Sequence, residues 1–447
     1  MSRRRFSAAT ALFTGAVLMA APLGAWAQAG ADDARPISLR DAITEAQRNA
    51  PAIVQARGLQ RNADASRRSA LGAYMPSLNL TAGSARTQGV QFFQGQLVPL
   101  TGNPWNYNNG LASTLQLFDG NQRWNELQRV KASQQVADVT VVQARFDAEL
   151  QVKQQYYAAL AARESEAAAK AQLEQAEQQL KASSARVAAG VATKSDSLRS
   201  AIQVGNAQLA VLTAQNDLRV ANANLTRVVG SATTVTAAPG DTLEAMGPIP
   251  GEAELEKFIA DGPSIQLADA NLAAARASRK SQRSSYLPTL SMSYNYSFTQ
   301  SSKKFQGSDI WLFSGGNPNR QNLNFNFSYA LFNGFTREAQ TVQQDVALRN
   351  AEAQARDARL AARANLTSLL RAAQNAQARV TVQLAAIAAA EEDLRVQQQR
   401  YALGASTLLD LLTSQTTLNQ ARQALIQARF DGRVARAQLA SLIGRPL

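Results

Sequence analysis

Cysteine and histidine are both absent from the 447 residues. Without thiols there is no disulfide framework and no thiolate nucleophile. Without imidazole, the usual zinc sites and every His-dependent triad are excluded as well. Motif-borne chemistry is also missing: no G-x-S-x-G, no S-x-x-K with its companion motifs, no P-loop and no EF-hand loop occurs. A hydrolase using Asp, Ser or Lys is the one enzyme reading left, and no spacing in the chain supports it. No enzyme, cofactor or metal site is therefore expected. Long apolar runs are scarce too, and past Leu23 none approaches the ~18 residues that a spanning helix requires.

The first residues form an export signal. Arg3, Arg4 and Arg5 make a basic head, Phe6 to Leu23 an Ala-rich apolar stretch, and Ala25-Trp26-Ala27 a small-residue cleavage site. Residues 1–27 read as a signal peptide, leaving Gln28 as the first mature residue; an uncleaved anchor is the alternative. No Cys follows the site, so a lipid anchor is excluded. The formal charge of +13 falls to +10 when the three leader arginines are removed. The remaining Lys and Arg are spread over helical faces without a basic tail or aromatic-interleaved patch. This charge fits solvated faces and anionic lipid headgroups, and no nucleic acid is expected. The exported protein is soluble in the periplasm, secreted, or a β-barrel.

The chain contains two copies of one unit. Tyr74, Pro76 and Leu78 recur as Tyr286, Pro288 and Leu290, an offset of 212. Leu117, Phe118 and Gly120 recur as Leu331, Phe332 and Gly334 at an offset of 214, which then holds through Gly190/Gly404, Asp196/Asp410, Leu225/Leu439 and Gly230/Gly444. Landmarks in a constant frame mean duplication. The first repeat spans 28–230 and the second 252–447. Between them, 231–251 is rich in Gly and Pro and reads as a linker. Each copy predicts a helix (about Leu39–Gly72; Ile265–Ser285), a strand hairpin (77–118; 288–332) and a long helical hairpin (121–229; 335–443).

Asn121 to Ala189 contains neither Pro nor Gly and is made of good helix formers. Gly190 and Gly404 sit where a left-handed helix end is wanted. Thr193-x-x-Asp196 and Thr407-x-x-Asp410 follow as capping boxes that open the return helices. Apolar residues step near 3.5: Leu198, Ile202, Gly205, Leu209, Leu212; Leu366, Leu369, Ala373, Ala376, Val380; and Leu173, Leu180, Val187. That period makes helices wind around neighbours. The remaining faces are polar, which suits a hollow, water-facing assembly.

The strands alternate. Leu323, Phe325, Phe327, Tyr329 and Leu331 point one way, against Asn322, Asn324, Asn326 and Ser328. Leu290, Met292, Tyr294, Tyr296 and Phe298 alternate likewise with Ser and Asn, while Leu78, Leu80, Ala82, Leu111, Leu115 and Leu117 give a weaker pattern. Period-two alternation over about ten residues marks a transmembrane β-strand. Leu290, Met292, Tyr294, Tyr296, Leu323, Phe325, Phe327 and Tyr329 are thus read as lipid-facing. Phe92, Phe93, Trp105, Tyr107, Trp311 and Phe313 are read as interfacial aromatics. Two half-buried hairpins of a soluble sheet are the alternative. Four strands cannot close a barrel, and open edges are not tolerated in lipid, so several chains must share one wall.

These features together resemble the TolC outer-membrane factor family over essentially the whole mature chain. The resemblance rests on the duplicated Tyr-x-Pro, Leu-Phe-(Asp/Asn)-Gly and helical hairpin order, on Arg400, Tyr401, Gly404 and Asp410, and on the closing Leu439, Leu442 and Gly444. It implies a mainly α fold with a small β part, assembled as a homotrimer with a 12-strand outer-membrane barrel on a periplasmic α-helical barrel. It also implies a passive exit duct for a tripartite efflux pump or type I secretion system. Its partners would be a periplasmic adaptor (membrane fusion) protein and an inner-membrane transporter of RND, ABC or MFS type. Family members close the periplasmic end at the helical tips. There Asp196, Tyr401 and Asp410 match the gate, while Ser406 and Thr413 replace an expected Arg and Asp; Lys194 and Arg199 lie close enough to substitute. Helix capping alone also accounts for both Asp residues. A soluble periplasmic coiled-coil adaptor or scaffold is the alternative function, and the residues do not name the exported substrate.

Overall fold

The computed structural model describes residues 34–99, 105–243, 247, 249–302 and 319–447. The expected leader, Trp311 and Phe313 lie outside the described residues. The order is β1 (Arg35–Ile37), α1 (Leu39–Asn49), α2 (Pro51–Gly72), β2 (Ser77–Arg86), β3 (Val90–Phe93), β4 (Gln96–Pro99), β5 (Trp105–Phe118), α3 (Gln122–Ala188) and α4 (Lys194–Val229). It continues with β6 (Val235–Ala237), α5 (Glu252–Ile259), α6 (Pro263–Gln282), β7 (Thr289–Ser302), β8 (Asn319–Ser328), α7 (Thr336–Ala402) and α8 (Leu408–Ile443). No described helix is long and apolar enough to cross a membrane.

The helix expected over Leu39–Gly72 is two. Pro51 at the first position of α2 has no N–H to give the preceding turn, and its ring pushes Ala50 to an extended ψ of 128°. The second-copy helix is likewise preceded by a separate α5, with Gly262 and Pro263 at the break. The linker carries β6, which pairs in parallel with β1. A three-residue strand is too short to show a period in the sequence.

The two long helices are each 67 residues, about 100 Å at 1.5 Å per residue. Their midsections hold the core, and the duplication is visible in it. Val152, Tyr156, Leu225 and Val229 pack in one cluster; their counterparts Leu366, Leu370, Leu439 and Ile443 pack in the other. Tyr156 does what its counterpart Leu370 cannot. Its hydroxyl meets Asp241, lies 3.0 Å from the Ile37 carbonyl and accepts from the Ala238 N–H at 3.2 Å. Burial, then the Asp241 hydrogen bond, push its phenol far above the ordinary value. Two turns on, Arg163 donates to the carbonyls of Ala237 (3.0 Å), Ala238 (2.9 Å) and Asp241 (2.7 Å). The 231–251 segment is therefore strapped to α3. Arg163→Ala strands three carbonyls at once and is expected to cost roughly 2–3 kcal/mol. Limited proteolysis should then cut within 231–251 faster than in the native chain; equal rates would contradict the strap.

The stripes divide unexpectedly. Leu366, Ala373 and Ala376 are buried, as the spacing predicts. On α4, however, the buried line is Ser200, Ala207, Val211, Ala214, Leu225 and Val229. Leu198, Ile202, Leu209 and Leu212 lie on another face and are 58–64% exposed. Small residues allow α4 to approach α3 closely, which leaves the large apolar stripe uncovered in a single chain.

Candidate functional site

The wall comes first. β2, β5, β7 and β8 form one antiparallel sheet in the order β2-β5-β7-β8, with β2 and β8 at open edges. The register sets Leu290 opposite Phe327, Met292 opposite Phe325 and Tyr294 opposite Leu323. Leu111 pairs with Tyr296 and with Leu80, and Leu115 with Met292. One face is thus mainly apolar across all four strands, interrupted by Ser113, Asn109 and Gln321. The other carries Asn79, Thr81, Asn106, Asn108, Thr114, Ser291, Ser293, Asn295, Asn322, Asn324 and Asn326. Among the described strand residues of this polar face, Arg320 is the one charge.

Some strand positions differ in detail from simple alternation. A bulge after Gln116 turns the strand, so Phe118 rather than Leu117 meets Leu290. Tyr329 and Leu331 lie just past β8, exposed beyond the ladder. Phe92 and Phe93 belong to a separate β3–β4 ribbon, where both are exposed. Trp105 opens β5 opposite Arg86, whose guanidinium lies 5.8 Å from its ring. Tyr107 is 0% exposed, buried like Asn109 and Phe298 on the same face.

At the opposite end of the helices, Gly190 and Gly404 adopt φ of +74° and +76°. The N–H of Val191 reaches back to the Arg186 carbonyl at 3.0 Å, and that of Ala405 to the Arg400 carbonyl at 2.8 Å. These are the wrapped helix ends that glycine permits. Both capping boxes form. Asp196 Oδ2 accepts from the Thr193 N–H (3.1 Å) and hydroxyl (2.9 Å); Asp410 Oδ2 accepts from Thr407 likewise at 3.0 and 2.8 Å. The Thr407 hydrogen bonds hold the Asp410 carboxyl below its usual range.

Asp196 does not hydrogen-bond Tyr401. The Tyr401 hydroxyl and the Ser406 hydroxyl are both buried with no partner among the described residues. What grips Tyr401 is Arg186, in the last turn of α3. Its guanidinium sits 4.6 Å from the ring centroid and donates to the Tyr401 carbonyl at 2.8 Å. Burial pushes the phenol up, Arg186 pulls it down, and the nearby Asp196 charge pushes it up. Lys194 and Arg199, the expected substitutes, make no such contact. The sequence signal for Arg186 is that it duplicates Arg400, the first residue of the Arg400-Tyr401 motif.

The family model described as outer membrane efflux protein matches residues 42–231 and 255–445, one span on each repeat. The chain belongs to the outer membrane efflux protein family. It is similar to Protein CyaE of Bordetella pertussis (strain Tohama I), 30% identical over 418 residues, which cover 90% of this chain and 83% of CyaE. Among solved structures, CusC is matched with a TM-score of 0.77 at 17% identity, covering 92% of this chain and 94% of CusC. The open-state MtrE outer membrane channel of Neisseria gonorrhoeae matches with a TM-score of 0.75 at 17% identity, covering 91% and 89%. The fold is that of outer-membrane channels, with a barrel part and a helical part. Family and fold thus place this efflux protein in the outer membrane as a channel, extending into the periplasm.

Proposed function

We propose that three copies join their four-stranded sheets into one 12-strand barrel, and that the duct they enclose is passive and closes at the helical tips. The observation that carries this is the sheet itself, apolar on one face, polar on the other and open at β2 and β8. In lipid such edges must be paired, and neighbouring copies are the simplest source of strands. The uncovered stripe on α4 supports the same assembly, since an adjoining hairpin would bury it. A periplasmic adaptor and an inner-membrane transporter would supply cargo and energy. Efflux of small molecules and type I secretion both fit this duct.

Two measurements test the reading. Detergent-extracted protein should run as a trimer and conduct ions in planar bilayers; a single-copy, non-conducting species would refute it, and recovery in the soluble fraction would favour the adaptor reading. Leu209→Glu should prevent trimer formation while leaving helix content intact. Each buried Leu is worth roughly 1.5–3 kcal/mol, and the loss is repeated three times around the ring. Unimpaired trimers of Leu209→Glu would show that the stripe faces something else.

A further inference from the structure

The duplication places one arginine twice in nearly the same setting, and a single change separates the two. In the first repeat, Arg123 lies 5.1 Å from the Tyr74 ring centroid. Its Nε donates to Asp119 Oδ2 at 2.8 Å, and the same oxygen accepts from the Arg123 backbone N–H at 3.0 Å. In the second repeat, Arg337 lies 5.1 Å from the Tyr286 ring. The counterpart of Asp119 is Asn333, which has no carboxylate. The Nε of Arg337 is buried and has no partner among the described residues. Exposed Glu338, the next residue, forms no ion pair with it.

A buried, unpaired guanidinium donor is costly, and an anion is what satisfies it. The surroundings say which anion. Leu331, Phe332 and Phe335, where the sheet passes into α7, are 84, 73 and 69% exposed, and the two rings meet edge-on at 5.4 Å. A free ion has no use for an apolar rim; a phospholipid uses both parts. By the symmetry of the duplication, a neighbouring copy would bring no carboxylate to this place. The segment packed on Gly120 is Ser284–Leu287, and its duplicate, which a neighbour would bring to Gly334, is Gly72–Met75, again without a carboxylate.

We propose that Arg337 binds the phosphate of a phospholipid in the leaflet nearest the helices, in the place that the Asp119 carboxylate fills in the first repeat. The acyl chains lie over Leu331, Phe332 and Phe335. This rests on the sheet standing in lipid with its apolar face outward.

Native mass spectrometry of the purified assembly tests it, using phosphatidylglycerol, diacylglycerol and inorganic phosphate as probes. The unmodified protein should retain phosphatidylglycerol and not diacylglycerol. Asn333→Asp, which rebuilds the first-repeat arrangement, should weaken retention by roughly ten- to a hundredfold, the worth of one charge-assisted hydrogen bond. Arg337→Gln should do the same. Retention unchanged in Asn333→Asp overturns the site, and so does full displacement of the lipid by inorganic phosphate, which would make it a free-anion site. Conductance is recorded on the same samples. A working pore without the lipid difference defeats this proposal alone, whereas loss of any pore in the unmodified protein defeats the channel reading.

Discussion

Arg186→Ala is expected to leave the duct open at rest. The contact it removes combines a cation–π interaction, worth roughly 1–2 kcal/mol when partly desolvated, with a charge-assisted bond to the Tyr401 carbonyl. Three copies act in parallel, so the cation–π part alone takes about 3–6 kcal/mol from the closed state, or two to four orders of magnitude in the opening equilibrium. Single-channel conductance and uptake of a large antibiotic should both rise. Tyr401→Ala should behave the same way, and Arg186→Lys should recover part of the closure, since an ammonium keeps the charge but not the planar stack. Asp196→Ala provides the contrast. Its carboxylate is already engaged by Thr193, so its removal should chiefly weaken a helix start by about 1 kcal/mol. If Asp196→Ala opened the duct as far as Arg186→Ala, closure would belong to Asp196 instead. Unaltered conductance in Arg186→Ala would remove the contact from the gate altogether.

The second large effect lies in the strands. Leu323→Arg puts a guanidinium mid-strand on the apolar face, directly opposite Tyr294. Near a bilayer midplane this costs roughly 2–4 kcal/mol per chain, and three chains share the barrel. Loss of heat-resistant trimers and of outer-membrane protein is expected. Asn324→Arg, one residue along, points to the polar face opposite Ser293 and should assemble normally. It should also shift ion selectivity toward anions, because Arg320 is the one charge among the described strand residues of that face. Equal damage from both substitutions would mean that the two faces are not lipid and water.

The parts of this molecule that could be read directly share a physical origin. Helix lengths, the glycine-wrapped ends and the capping boxes at Thr193 and Thr407 depend on neighbours within a few residues, so local sequence carries them. The alternation in β7 and β8 survives because, from Leu290/Phe327 to Tyr294/Leu323, the ladder pairs apolar residues with apolar residues. Leu117 was misplaced because a bulge inserts a residue without leaving a mark in the alternation. On α4 the larger residues form a stripe that a single chain leaves exposed. Packing of two helices at short range selected Ser200, Ala207 and Ala214, and no hydrophobicity pattern favours them.

From the order of residues alone came the duplication, the four long helices, the turn chemistry and the two-faced strands, since each is written in a period or a motif that acts over short range. Folding in space decided the rest. It brought Arg186 over Tyr401 across 215 residues of chain and fastened the linker to Arg163 and Tyr156. Those contacts depend on which helices lie side by side and at what height. One-dimensional spacing holds no record of that, because each contact joins segments whose separation along the chain is arbitrary.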